Sequence, residues 1–547
     1  MPDVGWIRGE LRDLLEEYWL IRDCILGSRT IKKMGEKYLP MPNPTDKSPE
    51  NLMRYHQYKE RAVFYNVVYR TLNGMTGQVF LREPVAELPN DLDAMVEDAD
   101  GNGVSLMQLA QQTVHTTLAY GRCGLLVDYP TVMQDADNNS QFATNNALLT
   151  KAEIESQNIH PTITLYFPWD IINWQTEVIG SKRLLTLVVI QERVLTPADD
   201  FAVTEVMQWR VLRLTPDGQH YVEIWQKDTN SPMEEKTIDE PKQIASSAPA
   251  KGLPVHGSVR KVDGHTVKSL VPLDGTGKPF QGIPFTFVGV EGNTTQPSKP
   301  PIYDLAELNI AHYRNSADYE ESCYITGQPT VWVSGLTEEW AKNVLGGTIN
   351  MGARGGLPLP TGAQAGILQA NPNTLPKAAM EQKEEQMVAV GAKLVQNTRT
   401  LRTATEVIVE TTSESSVLAM VAKNVGAAFE WCCSIACDFL NVAAKGSIRY
   451  ELNQDYDLTS TSAADRAEAI KEWQSGAIAF PEMRTVLRKA GIATMDDDEA
   501  EKTIAEELAQ NPQPQMVLPP GADPNAEGKT LGQGGDAGAS GQPNTGQ

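Results

Sequence analysis

Two helical stretches of nearly equal length, residues 302–326 and 375–397, bracket a compact segment of different character, and this arrangement constrains the fold more than any composition figure does. The first carries Ile302, Leu305, Leu308, Tyr313, Ala317 and Tyr324 at helical spacing and stops before Gly327 and Pro329. At the standard rise the two would be about 37 and about 34 Å long. Between them, PTVWV reads as a strand, LTEEWAKNVL as a short helix and GGTINMGARGGLPLP as a glycine-rich connection. The chain therefore runs out along one helix, builds a small mixed unit and runs back along another. A short stretch, TRTLR, follows Asn397. Thr403 and Glu406 then form a capping box, which opens a helix expected to reach about Ala444. Its small residues Ala419, Ala422, Gly426, Ala427, Ala428 and Ala436 suit close helix contacts.

Upstream, the apolar and aromatic residues of 51–69 recur three and four apart, which predicts one helix ending near Gly74 and Gly77. Ser105 and Gln108 form a capping box for a second helix that stops at Gly121, and LLVDYP reads as a buried strand. Residues 1–160 are thus mainly helical with some strand. Between 161 and 300 the period changes: ITLYF, LLTLVVI, VMQWRVLRL, HYVEIW and PFTFVGV are strand-like, with a loop-like insertion at about 228–262. A helical region follows from 463 to 510. The last 37 residues hold eight Gly, six Pro and no aromatic residue, a composition that cannot bury enough surface to fold alone. The fold class is mixed α+β, and 547 residues predict three or four structural units.

Charge narrows the function. Lys and Arg total 47 against 70 Asp and Glu, a formal charge of −23, which disfavours gripping nucleic acid by phosphate neutralisation. Six cysteines in 547 residues make no disulfide framework, and a reducing compartment is expected. No export signal is visible, and the two long uncharged stretches, 101–121 and 355–376, are respectively amphipathic and broken by Pro and Gly, so no membrane span is expected.

The motifs that suggest chemistry are incomplete. DADGNG at 98–103 places Asp98, Asp100 and Asn102 as in a calcium loop, but Leu109 stands where the bidentate Glu belongs. An acidic turn and a weak cation site are the two readings. DPNAEGKT and GTGKP are defective phosphate-loop fragments, and the seven histidines show no zinc spacing. Cys432, Cys433 and Cys437 fit core packing. No nucleophile can be tied to a base, so neither a cofactor nor an enzymatic activity is expected. Asp318, Glu320 and Glu321 in the outgoing helix, and Glu381, Glu384 and Glu385 in the returning one, are either solvated faces or the walls of a passage for a polyanion, which they would repel and let slide.

YKERAVFYNVVYRTLNGMTGQVF, LPNDLDAMVEDADGNGVSL, AYGRCGLLVDYP, IYDLAELNIAHYRNSADYEES, RTATEVIVETTSESSVL and YELNQDYD with SGAIAFPEMRTVLRKAGI occur in that order, and together they resemble the portal proteins of tailed bacteriophages. The resemblance covers most of the chain outside the insertions and the tail. It implies a ring, typically of twelve copies, at one vertex of the capsid in the virion. Double-stranded DNA passes through that ring, and terminase, scaffold, major capsid and head completion or tail proteins dock on it. It also implies a portal-like subunit plan: a helical and mixed wing (1–160), a β-rich wing (161–300), an outgoing stem helix (301–326), a small α/β clip (327–374), a returning stem helix (375–397), a channel loop (398–402), a long helix and helical crown (403–510) and a tail (511–547). On this plan Thr398, Arg399, Thr400 and Arg402 approach DNA, with the two arginines touching phosphates weakly or pairing with stem carboxylates instead. Trp332, Leu336 and Trp340 pack the clip or meet neighbours. The rival readings are another phage head completion or minor head protein, and an enzyme of DNA metabolism.

Overall fold

The computed structural model describes residues 3–129, 159–197, 199, 201–227, 253–254, 256–328, 330–344, 358–369, 373–395, 404–442, 448–454, 463–489, 492–493, 495 and 497–510. The chain divides into two compact units, residues 1–456 and 457–547. It is a mixed α+β protein.

In the first unit, the amino-terminal helices are α1 (Gly9–Leu26), α2 (Ser28–Met34), α3 (Pro49–Arg61), α4 (Val67–Val79), α5 (Asp93–Glu97) and α6 (Leu106–Tyr120). The Ser105–Gln108 capping box forms as expected, satisfying amides that the first turn of α6 leaves exposed. The helix ends at Gly121, whose φ of 79° is a left-handed value that glycine adopts without strain. Ten of the fifteen residues of α6 are buried, because it packs on α4, on strand β2 (Arg122–Asp128) and on a long later helix. The single helix expected over 51–69 is in fact two. α3 stops at Arg61, residues 62–66 are not helical, and Asn66 caps α4 by accepting the Tyr69 N–H at 3.1 Å. Gly74 and Gly77 lie inside α4 rather than ending it.

Strand β1 (Val85–Glu87) pairs with β13 (Arg449–Glu451), joining distant parts of the chain. β2 is the middle strand of a three-stranded antiparallel sheet between β3 (Thr162–Tyr166) and β10 (Phe285–Gly289), and it is buried along almost its whole length. The β-rich region is a six-stranded antiparallel sheet in the order β4 (Ile171–Ile179), β5 (Lys182–Pro197), β6 (Val203–Leu214), β7 (His220–Lys227), β9 (His265–Leu270), β8 (Val259–Val262). Most of the expected insertion lies outside the described residues, but its end forms β8. The sheet sets Trp174, Val188, Ile190 and Leu212 into the same core as the helices.

The carboxy-terminal half of this unit contains α7 (Tyr303–Thr326), β11 (Thr330–Ser334), α8 (Glu338–Asn343), β12 (Gln364–Leu368), α9 (Leu375–Val395) and α10 (Ala404–Leu440). Along α10, Val421, Ala422, Val425, Phe429, Cys432, Cys433 and Cys437 are buried, so the cysteines are core residues. Full burial of a side chain such as Phe429 is worth about 2 kcal/mol. Gly426 lets β13 come close: a Cβ there would stand 2.8 Å from the Tyr450 carbonyl oxygen.

The second unit contains α11 (Ala463–Gln474), α12 (Phe480–Lys489) and α13 (Asp497–Gln510). Arg484 on α12 is largely buried, donating to Asp497 Oδ1 at 3.0 Å and to the Met495 carbonyl at 2.6 Å. Arg488 also pairs with Asp497, and this hydrogen bond first, then Arg484, holds the carboxyl below its usual range.

Candidate functional site

α7 and α9 are packed side by side and run in opposite directions. His312 Nε2 lies 3.1 Å from Glu384 Oε1, while at the far end of α7 Gln369 Nε2 lies 3.5 Å from the Thr326 carbonyl, so a later position on α7 meets an earlier one on the returning chain. β11 and β12 close the excursion as an antiparallel pair, with Thr330 opposite Leu368 and Ser334 opposite Gln364. The out-and-back pattern read from the sequence is the pattern of the fold.

One face of α7 is polar although buried, and its side chains do the work of backbone. Asn309 Nδ2 donates to the Tyr65 carbonyl at 2.7 Å, and its Oδ1 accepts from Val67 N–H at 3.1 Å. Ser316 Oγ accepts from Val63 N–H at 3.0 Å and donates to the Val63 carbonyl at 2.8 Å. These bonds satisfy the groups that the break between α3 and α4 removes from helical pairing, which would be costly to bury unpaired. Sequence reasoning missed Asn309, His312 and Ser316. The available signal was polar residues recurring at three- and four-residue spacing on an otherwise apolar helix face.

The acidic candidates divide by what they touch. Asp318 accepts the Tyr58 hydroxyl at 2.6 Å, and Glu321 pairs with Arg61 and with Arg54 at 3.5 Å, so both turn to α3. Burial, together with the Asp318 hydrogen bond, raises the Tyr58 hydroxyl well above its usual range. Glu384 faces His312, and Glu381 lies 3.7 Å from Lys377 on its own helix. Among the described residues, Glu320 and Glu385 pair with no cation; Glu320 is half-buried and Glu385 exposed.

In the excursion, Trp332 is 43% exposed and lies across Gly366, where an added Cβ would meet its indole Nε1 at 2.9 Å. Thr337 caps α8 by accepting Trp340 N–H at 3.3 Å. Trp340 is half-buried, with Nε1 donating to the Pro358 carbonyl at 3.4 Å, and Leu336 is half-buried beside it in sequence. Ile367 and Leu368 on β12 are exposed. The four candidates Thr398, Arg399, Thr400 and Arg402 lie outside the described residues.

At 98–103 the carboxylates serve the turn. Asp98 Oδ1 accepts from Gly103 N–H at 2.8 Å, and Asp100 Oδ1 accepts from Asn102 N–H at 2.9 Å and Val104 N–H at 3.2 Å. Burial raises the Asp100 carboxyl, but these hydrogen bonds outweigh it and leave the carboxyl below its usual value. This geometry favours the acidic-turn reading, and among the described residues no three His, Cys, Asp or Glu groups converge as metal ligands. No helix among the described residues is long and apolar enough to cross a membrane.

Residues 301–440 match a family model described as a domain of unknown function (DUF4055), a span that begins just before α7 and ends at the last residue of α10. No curated protein matches the chain. Among solved structures, the chain is similar to a chain of the virion of a native gene transfer agent particle, with 12% identity, TM-score 0.38, and coverage of 84% of this chain and 98% of that one. It is also similar to a chain from the neck of an empty gene transfer agent particle, with 12% identity, TM-score 0.36, and coverage of 79% and 91%.

Proposed function

We propose that the protein is a structural subunit of a phage-type head, and within that class a portal subunit. Copies form a ring at one capsid vertex through which double-stranded DNA is packaged, retained and ejected. The observation that carries this reading is the antiparallel pair α7 and α9 around the β11–α8–β12 unit, flanked by the 37-residue α10. Together with the ordered motifs that resemble portal proteins, it supports assigning α7 and α9 as the stem and the unit between them as the clip.

The chemistry fits passage rather than capture. A chain of net charge −23 repels phosphate at long range, and Glu381, Glu384 and Glu385 are exposed on the returning helix. Arg399 and Arg402, between α9 and α10, are the cations placed to touch the duplex, and two weak contacts per copy hold DNA without stopping it. In this reading the subunit is not an enzyme, and the nucleotide hydrolysis that drives packaging belongs to the terminase that docks on the ring.

Native mass tests the proposal. Twelve copies of 60.0 kDa give roughly 720 kDa. A species of that order, formed by the full chain alone or with its scaffold, is the expected result. A small closed dimer or trimer in both conditions overturns it.

A further inference from the structure

The six-stranded sheet carries an arm. β5 pairs with β4 only as far as Ile190, and β6 pairs with β7 only from Gln208 onward. Gln191 N–H still donates to the Asp170 carbonyl at 2.7 Å, and Glu192 accepts the Tyr166 hydroxyl at 2.6 Å. From Arg193 to Pro197, and back from Val203 to Met207, the two strands pair only with each other, an extension of about 16 Å. Its tip is built: Asp199 Oδ1 accepts from Phe201 N–H at 2.8 Å and Ala202 N–H at 2.6 Å. That turn holds Phe201 99% exposed. Leu195 and Val203, on one face of the arm by their register, are 65% and 63% exposed. Three large apolar groups at the end of an ordered projection mark a contact surface.

The same unit also has a cleft of about 1020 Å³ between α1, α4, α6 and the end of β3. Tyr120, Leu165, Phe167 and Trp169 give it an apolar, aromatic wall, and no Asp or Glu lines it. At its rim Arg22 shares the buried Asp23 with Lys37, at 2.8 and 3.7 Å, so two cations face one carboxylate. The outer arm is opposite in sign: Arg193 pairs with Glu205 at 3.5 Å, and the sequence of the tip adds Asp199 and Asp200 with no further cation. An exposed Phe201 shows that the arm does not occupy its own chain's cleft.

We infer that the acidic, apolar-tipped β5–β6 arm of one copy docks in the aromatic cleft of a second copy. Such a contact is heterologous, each copy giving an arm and receiving one, and a repeated contact of this kind closes into a ring when its rotation divides a full turn. Only the closure into a ring rests on the portal reading; the docking itself does not.

Crosslinking decides between them. Cys323 is exposed and the other five cysteines are buried, so the test uses the full chain with Cys323→Ser, Phe201→Cys and Gln112→Cys. Gln112 is an exposed residue of the cleft wall. Under mild copper–phenanthroline oxidation the expected result is a ladder of covalent oligomers on a non-reducing gel, absent from each single-cysteine variant. A ladder together with a ring-sized native mass supports both docking and ring. A covalent dimer without a ring supports the docking and overturns the portal reading, whereas a ring-sized assembly with no crosslink overturns the docking alone. Phe201→Asp supplies the second measurement. It should weaken assembly at least about tenfold and leave the melting temperature unchanged, because the ring touches nothing in its own chain. Unaltered assembly would overturn the docking.

Discussion

Asn309 and Tyr65, 244 residues apart in sequence, share a 2.7 Å hydrogen bond in which the side-chain amide on α7 donates to the backbone at the break between α3 and α4. With Val67 N–H on the other end of the same amide, Asn309 fixes the angle at which α3 gives way to α4. The Asn309 side chain is fully buried. Asn309→Ala should cost about 1–2 kcal/mol in urea unfolding, because two hydrogen bonds to part-buried backbone are lost, although Val67 N–H still donates to the Tyr65 carbonyl at 3.0 Å. A loss below about 0.5 kcal/mol would mean that the break is held by packing alone.

Gly426 tests the contact between α10 and β13. In an open helix, Gly→Ala gains about 1 kcal/mol from propensity. Here the added Cβ would stand 2.8 Å from the Tyr450 carbonyl, a backbone atom held by strand pairing, and the clash should win. Gly426→Ala is expected to destabilise by about 1–3 kcal/mol. The exposed neighbour gives the opposite control, since Ala427→Gly should lose about 1 kcal/mol from propensity alone. Thermal melts of the two variants read both signs.

A half-buried carboxyl and a buried imidazole set opposed pH dependences. The Asp170 carboxyl is pushed up to about 6, chiefly by burial, against the Phe167 N–H and Arg193, which favour its anion. The folded state then binds its proton more tightly than the unfolded state, where Asp titrates near ~3.9, so this contribution is complete below about pH 4 and is lost as pH rises through about 6. His220 is shifted the other way, to about 4, by burial, with the Arg213 carbonyl opposing. Its contribution is present above the unfolded value of ~6.5 and is lost as pH falls towards 4. Asp170→Asn should therefore steepen the loss of stability on acidification from pH 6 to 4. His220→Asn, which retains a donor for the Arg213 carbonyl, should flatten it. Urea titrations at half-unit steps check both slopes, and parallel curves for wild type and both variants would contradict them.

The arginine pair carries the prediction closest to function. Arg399→Ala with Arg402→Ala should leave ring assembly intact while reducing the DNA packaged or retained per particle. Particle yield and protected DNA, measured on the same preparation, separate the two effects. Unchanged packaging would remove these residues from any DNA contact.

How much of this was legible depended on range. Local signals read correctly where one element decides its own structure: the Ser105–Gln108 box, the two helices around the β11–α8–β12 unit, and the strand runs of 161–290. The break at 62–66 was not legible, because the groups that pay for it, Asn309 and Ser316, lie about 250 residues away. Periodicity across 51–69 was real, yet it belonged to two helices sharing one core. The acidic residues of α7 and α9 read as a single class by charge. The fold separates Asp318 and Glu321, turned to α3, from Glu381, Glu384 and Glu385, which are exposed, a distinction that only the packing of α3 supplies. The β5–β6 arm escaped notice because a strand's length does not reveal where its partners stop.

End-on electron microscopy of the purified assembly tests the ring most directly. A closed ring of copies around an open central channel wide enough for a duplex is the predicted image. A compact particle with no central opening, at the same mass, would contradict the portal reading whatever its subunit number.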